Sequence, residues 1–135
     1  MNKNLESEHL VGKKAKLNIS YEPFNPQILN FLNDLSISLA NNFNDKNYPD
    51  LRALSFFCRK NNILSLKKKH HDKESTRFGL GLLFHITPSN IPTNFAYSLI
   101  FGLITGNSNI VKVPSKKFEE INIICIALSK ILKKN

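Results

Sequence analysis

Between Phe78 and Val111 the 135-residue sequence has no Asp, Glu, Lys or Arg. A solvated loop region would not dispense with charge for so long, so this stretch is expected in the interior or against a ligand. It is not a membrane span, because Pro88, Asn90, Pro92, Asn94, Asn107 and Asn109 divide it into pieces well short of the roughly 20 apolar residues a spanning helix needs. No signal peptide is expected in 1–20 either, since Lys3, Glu6, Glu8, Lys13, Lys14 and Lys16 leave no apolar core of the needed length there. A cytoplasmic location is the default expectation.

Cysteine is scarce. Cys58 and Cys125 are far apart and have no neighbours with metal-ligand spacing, which excludes a zinc-knuckle type of fold and points to reduced, structural thiols. His70 and His71 lie in a lysine-rich stretch without a third ligand in register, so no metal is expected there. The Gly-x-Gly-x-x-Gly dinucleotide fingerprint is absent as well. Its nearest approach, Gly79-Leu80-Gly81, precedes a predicted strand instead of following one.

What is present is 41% apolar residues and a formal charge of +9. That length and composition suit one packed domain. Asn25-Pro26 is a helix-start signal, and Ile28, Leu29, Leu32, Leu35 and Leu39 follow at helical spacing, predicting a helix over 26–41. A polar loop over 41–47 is expected next, and Tyr48-Pro49-Asp50 then restarts a helix whose Leu51, Leu54, Phe57 and Cys58 share a face. Residues 67–77 (Lys-Lys-Lys-His-His-Asp-Lys-Glu-Ser-Thr-Arg) carry no apolar periodicity and read as a charged connector.

The pattern then changes. Residues 80–86 form a nearly continuous apolar run, expected as a parallel strand covered on both faces, and two prolines make 87–92 a turn. Helical spacing returns over 93–104, with Gly106 placed to end it. Residues 109–113 are β-branched and predict a second strand. After Pro114 and Ser115 a last helix is expected, with Ile121, Ile124, Cys125, Leu128, Ile131 and Leu132 on its buried stripe. Strand, helix, strand, helix is the signature of a βαβ unit in a doubly wound parallel sheet. Two strands do not complete such a sheet, so the sequence reads as a truncated chain or one part of a split enzyme.

In open α/β sheets ligands bind at the carboxyl ends of the strands. Those ends are Thr87-Pro88-Ser89-Asn90 and Lys112-Val113-Pro114-Ser115-Lys116. Here the residues carry a resemblance. The segments 81–92 (Gly-Leu-Leu-Phe-His-Ile-Thr-Pro-Ser-Asn-Ile-Pro) and 106–116 (Gly-Asn-Ser-Asn-Ile-Val-Lys-Val-Pro-Ser-Lys) resemble the first βαβ of the aldehyde dehydrogenase superfamily. More narrowly, His85 to Pro92, Asn94 to Leu99 and Asn109 to Lys116 resemble the LuxC-like acyl-CoA reductases, as do Tyr48-Pro49-Asp50 and Phe57-Cys58-Arg59-Lys60.

The resemblance implies an α/β fold: a partial aldehyde dehydrogenase-like Rossmann domain, the first βαβα of a parallel sheet, preceded by an N-terminal helical layer. The expected organisation is an N-terminal arm over 1–24, a helical layer and charged connector over 25–77, and an incomplete nicotinamide-cofactor-binding domain over 78–135. The implied reaction is NADPH-dependent reduction of acyl-CoA, or another acyl thioester, to an aldehyde through a thioester on an enzyme cysteine. Asn90 matches the asparagine whose amide stabilises the oxyanion, a role suited to a donor that does not titrate. Ile86, Thr87, Pro88 and Ser89 would line the cofactor side, with Lys112, Ser115 and Lys116 at the second strand end.

Ser89 departs from the bulky aromatic that many aldehyde dehydrogenases carry there. Lys112 lies one position earlier than the superfamily lysine, which in a strand puts it on the other face, so a surface charge competes with a cofactor role. Lys116 replaces a common glutamate, and with Lys117 it would place two positive charges at a helix start, where a 2′-phosphate of NADPH would offset them. In the resembling family the nucleophilic cysteine lies well downstream, in a separate catalytic domain, and Cys125 is not expected to stand in for it, because it falls on an apolar stripe that would suppress its thiolate. A missing C-terminal portion or a second chain would supply it. Two other readings remain open: an inactive remnant that binds a partner, and a basic nucleic-acid-binding module. The second is disfavoured because the aromatics do not interleave with the lysines as a stacking platform requires.

Overall fold

A computed structural model describes residues 8–13, 20–42, 47–70 and 75–134. The elements run α1 (Pro26–Asn42), α2 (Pro49–Phe57), α3 (Lys60–His70), β1 (Leu82–Ile86), α4 (Asn94–Ile104), β2 (Ser108–Lys112) and α5 (Glu119–Leu132). The chain is a mixed helix-and-strand structure with a small parallel sheet. No helix among the described residues is long and apolar enough to cross a membrane.

Helix α1 begins as its sequence predicts: the Asn25 side chain accepts a 2.9 Å hydrogen bond from the Gln27 N–H, next to Pro26, whose missing N–H costs nothing at this position. Its Leu29, Leu32, Leu35 and Leu39 are buried, and the helix packs against α2, α3, α4 and α5. A buried 2.9 Å bond from Ser55 Oγ to the Ser36 carbonyl adds a polar tie between α1 and α2. The Tyr48 hydroxyl donates to Glu119, joining the start of α2 to the start of α5. That bond and the nearby Glu119 and Glu120 charges hold the phenol pKa above its ordinary value.

Helix α3 corrects the expected connector. Lys67, Lys68, Lys69 and His70 form its last turn, where positive side chains complement the negative end of the helix dipole, and Ile63 anchors it in the core. His71 and the rest of 71–74 lie outside the described residues, as do 1–7 and 14–19 of the expected arm and 43–46 of the polar loop.

Strands β1 and β2 are parallel neighbours, with Leu82 opposite Ser108, Phe84 opposite Ile110 and Ile86 opposite Lys112. They are joined through α4, which packs on one face only. The expectation that the first strand is covered on both faces is therefore not met. Exposure alternates along it, so Phe84 (63% exposed) and Ile86 (72%) stand with Leu82 and Ile110 on an open apolar face. The strand also starts later than expected, because Gly81 adopts φ +115° and Leu80 is exposed.

Helix α4 ends in paired bonds from Gly106 N to the Leu103 carbonyl and from Asn107 N to the Gly102 carbonyl, with Gly106 at φ +84°. A Cβ at Gly106 would lie 2.0 Å from the Tyr21 carbonyl oxygen. Tyr21 N in turn donates to the Gly106 carbonyl at 3.0 Å, and the Tyr21 carbonyl accepts from Gly79 N at 3.1 Å. The segment leading into α1 is thus stitched to the entrance of β1 and the exit of α4.

Candidate functional site at the strand ends

Because Ile86 and Lys112 are paired and the strands run parallel, the two loops that follow them leave the same end of the sheet. Thr87, Pro88, Ser89 and Asn90 thereby share one end of the sheet with Val113, Pro114, Ser115 and Lys116. Pro92 and Thr93 are buried where the loop turns into α4, leaving Ser89, Asn90 and Ile91 outside.

The Asn90 side chain is exposed and takes part in none of the hydrogen bonds among the described residues, so its amide is free to donate to an oxygen brought to it. Thr87 differs. Its residue is half-buried, but its hydroxyl is fully buried with no hydrogen-bond partner. Leaving such a group unsatisfied costs about 1–3 kcal/mol, and a polar ligand at the strand end would recover that cost once a turn of the side chain brings the closed-off oxygen to the surface. Thr87 Oγ1 is thus a polar atom of this loop that the fold leaves unpaired.

Ile86 and Lys112 are both exposed and belong to the open face of the sheet, on the same side as Phe84 and Ile110. Ser115 and Lys116 are exposed too, but they do not start the last helix. Residues 115–118 stay irregular and α5 begins at Glu119, with Phe118 as its cap residue and Glu119 and Glu120 in its first turn. The carboxylates, not the lysines, therefore take the position that the helix dipole favours for negative charge. Lys116 instead places its ammonium over the Phe118 ring, 4.8 Å from the centroid, a contact typically of about 0.5–1 kcal/mol at an exposed site.

Neither cysteine belongs to this end of the sheet. Cys58 caps α2 inside the core, and burial pushes its thiol up to about 12. Cys125 is half-buried, not on the fully buried stripe; that place belongs to Ile124, Ile121 and Leu128. It lines an open groove of about 330 Å³ with Leu10, Ile126, Ser129, Lys130 and Lys133, and partial burial still raises its pKa. Among the described residues no three His, Cys, Asp or Glu side chains group as metal ligands.

One polar cluster lies behind the loop and was not assigned a role from the sequence. His85, on the α4 side of β1, accepts or donates at both ring nitrogens: Nδ1 is 2.8 Å from Ser98 Oγ on α4, and Nε2 is 2.8 Å from Asn109 Oδ1 on β2. The only hint in the sequence is the placing of one imidazole within an apolar strand run.

A family model described as acyl-CoA reductase (LuxC) matches residues 59–131, just over half of the chain, and so covers both strands, both strand-end loops and the histidine cluster. Neither a curated protein nor a solved structure matches significantly. The matched span contains the very segments whose motifs resemble these enzymes, and the chain belongs to the LuxC family of acyl-CoA reductases.

Proposed function

We propose that these residues form the cofactor-binding and oxyanion-stabilising part of an NADPH-dependent acyl-CoA reductase, one that converts an acyl thioester to an aldehyde. The observation that carries this reading is the pairing of an unengaged amide, Asn90, with a buried, unpartnered hydroxyl, Thr87, in one loop at a parallel strand end. The sheet is read as the start of an aldehyde dehydrogenase-like Rossmann domain. When bound, NADPH supplies the hydride.

The chain's own residues do the rest. The Thr87 hydroxyl, turned outward, would bond a polar atom of the cofactor, while Ile86, Pro88 and Ser89 would shape the wall against it. Lys112 at the end of β2, and Ser115 and Lys116 in the loop after it, would hold its phosphates. Asn90 donates its amide hydrogen to the thioester oxygen as negative charge gathers there; losing one such donor costs about 10²–10³ in kcat. The nucleophilic cysteine comes from another part of the reductase, downstream or on a second chain. The same part would cover Leu82, Phe84, Ile86 and Ile110, since parallel sheets carry helices on both faces.

Fluorescence titration of the chain with NADPH and NADH tests this. The wild type binds NADPH more tightly. Thr87→Val weakens binding about fivefold, equivalent to about 1 kcal/mol, while raising stability by relieving the unpaired hydroxyl. Lys116→Glu shifts preference toward NADH by about tenfold, or about 1.4 kcal/mol. Undetectable NADPH binding, or binding indifferent to Thr87→Val, would refute the reading.

A further inference from the structure

We propose that His85 is a positioning residue, which clamps α4 onto both strands so that the loop over 87–93 presents Thr87 and Asn90 in one fixed geometry. The proposal rests on the function proposed above for that loop. Its starting point is the orientation of Asn109. The Asn109 amide nitrogen donates to the Asn107 carbonyl at 2.7 Å, so its Oδ1 is turned toward the imidazole and can only accept. His85 Nε2 therefore carries a hydrogen, and in the tautomer with hydrogen on Nε2 alone the Nδ1 accepts from the Ser98 hydroxyl.

The chain of bonds continues. Asn107 Oδ1 accepts from Gly81 N at 3.1 Å, at the entrance of β1, and its amide nitrogen donates to Thr105 Oγ1 at 2.8 Å, at the exit of α4. Side chains from β1, β2 and α4 are thus joined by directional contacts at a helix–sheet interface that apolar residues could fill. Such partly buried networks fix one arrangement where oily packing tolerates several.

A second observation is independent of the hydrogen bonds. The network lies directly against the helix backbone at Gly102, where a Cβ would come 1.9 Å from Asn109 Oδ1 and 3.1 Å from His85 Nε2. Only a glycine on α4 admits the imidazole and the amide at this depth. The loop over 87–93 is consequently held at both ends: at Ile86 by the sheet, and at α4 through Ser98, four residues after Asn94 begins the helix.

The test uses the whole chain. The Ala96 and Tyr97 amides both donate to the Thr93 carbonyl, at 3.0 and 3.2 Å, and so report fraying where the loop enters α4. In His85→Leu their hydrogen exchange is expected to quicken about tenfold relative to amides of Leu32 and Leu35 in α1, a local opening instead of a global one. His85→Gln, which keeps a donor near the Nε2 position, should restore most of the protection. Nitrogen NMR of the wild type should show the hydrogen on Nε2.

NADPH affinity should fall in His85→Leu and recover in His85→Gln. Equal quickening in α1 and α4, no rescue by Gln, or a ring protonated on Nδ1 alone would overturn the proposal. So would undiminished NADPH affinity in a frayed His85→Leu variant. If His85→Leu does not fold, Ser98→Ala removes one bond and should quicken the same two amides less strongly; an unchanged pattern there would also overturn it. A wild type that binds no NADPH refutes the proposed function, while the exchange and tautomer measurements still decide whether His85 clamps the loop.

Discussion

Gly102→Ala separates helix propensity from local packing. Alanine in a helix interior is normally better than glycine by about 0.8–1 kcal/mol. At Gly102, however, the new methyl would sit 1.9 Å from Asn109 Oδ1 and 2.7 Å from its Cγ. Asn109 is not free to move away, because it is held at 2.8 Å to His85 and at 2.7 Å to the Asn107 carbonyl. Overpacking of this kind costs about 1–3 kcal/mol, and each hydrogen bond lost adds about 1 kcal/mol. Set against the gain in propensity, the net expectation is destabilisation of about 2 kcal/mol, or a fall in Tm of about 6 °C. Urea and thermal melts followed by circular dichroism measure it. The double variant with Asn109→Ala removes the two closest atoms and leaves only His85 Nε2 at 3.1 Å, so in that background Gly102→Ala should lose most of its cost. Stabilisation by Gly102→Ala in the wild-type background would show that the network does not press on the helix as described.

Two further outcomes follow from the cysteines. The Cys58 thiol is raised from 9.0 to about 12 by burial, so the folded state holds its proton more tightly than the unfolded one. The stability this confers is complete below about pH 9 and is lost as pH rises toward 12, at up to about 1.4 kcal/mol per pH unit; urea melts should fall more steeply over that range for the wild type than for Cys58→Ala. Given acyl-CoA and NADPH, the chain alone should form no aldehyde, since Cys58 is buried and burial also suppresses the Cys125 thiolate. Turnover abolished by Cys58→Ser or Cys125→Ser would contradict that expectation.

The helices and strands were legible wherever one physical signal dominated. Periodicity located α1 to within a residue, through Leu29, Leu32, Leu35 and Leu39, and the Asn25-Pro26 cap marked its start. Helix α3 was hidden because its last turn is Lys67, Lys68, Lys69 and His70, and a run of like charge reads as a connector unless the helix dipole is considered. The same reasoning places the start of α5 at Glu119 and Glu120, a signal present in the sequence but outweighed by the motif around Pro114 and Ser115. Burial of β1 on both faces was inferred from the apolar character of Leu82, Phe84 and Ile86. Composition records what a strand can bury, not whether a covering layer is present. The strand-end loops could be placed because parallel topology alone brings them together, whereas the His85 network depends on the depth at which α4 packs, which Gly102 sets and no spacing rule reveals.

The central claim is that the nucleotide binds where β1 and β2 end. The most direct measurement is a map of backbone and side-chain amide shifts on adding NADPH to the nitrogen-labelled chain. The account predicts the largest changes at Thr87, Ser89, Asn90, Lys112, Ser115 and Lys116, including the Asn90 side-chain amide. Shifts concentrated instead on α3 around Lys67–His70, or in the groove beside Cys125, would contradict it.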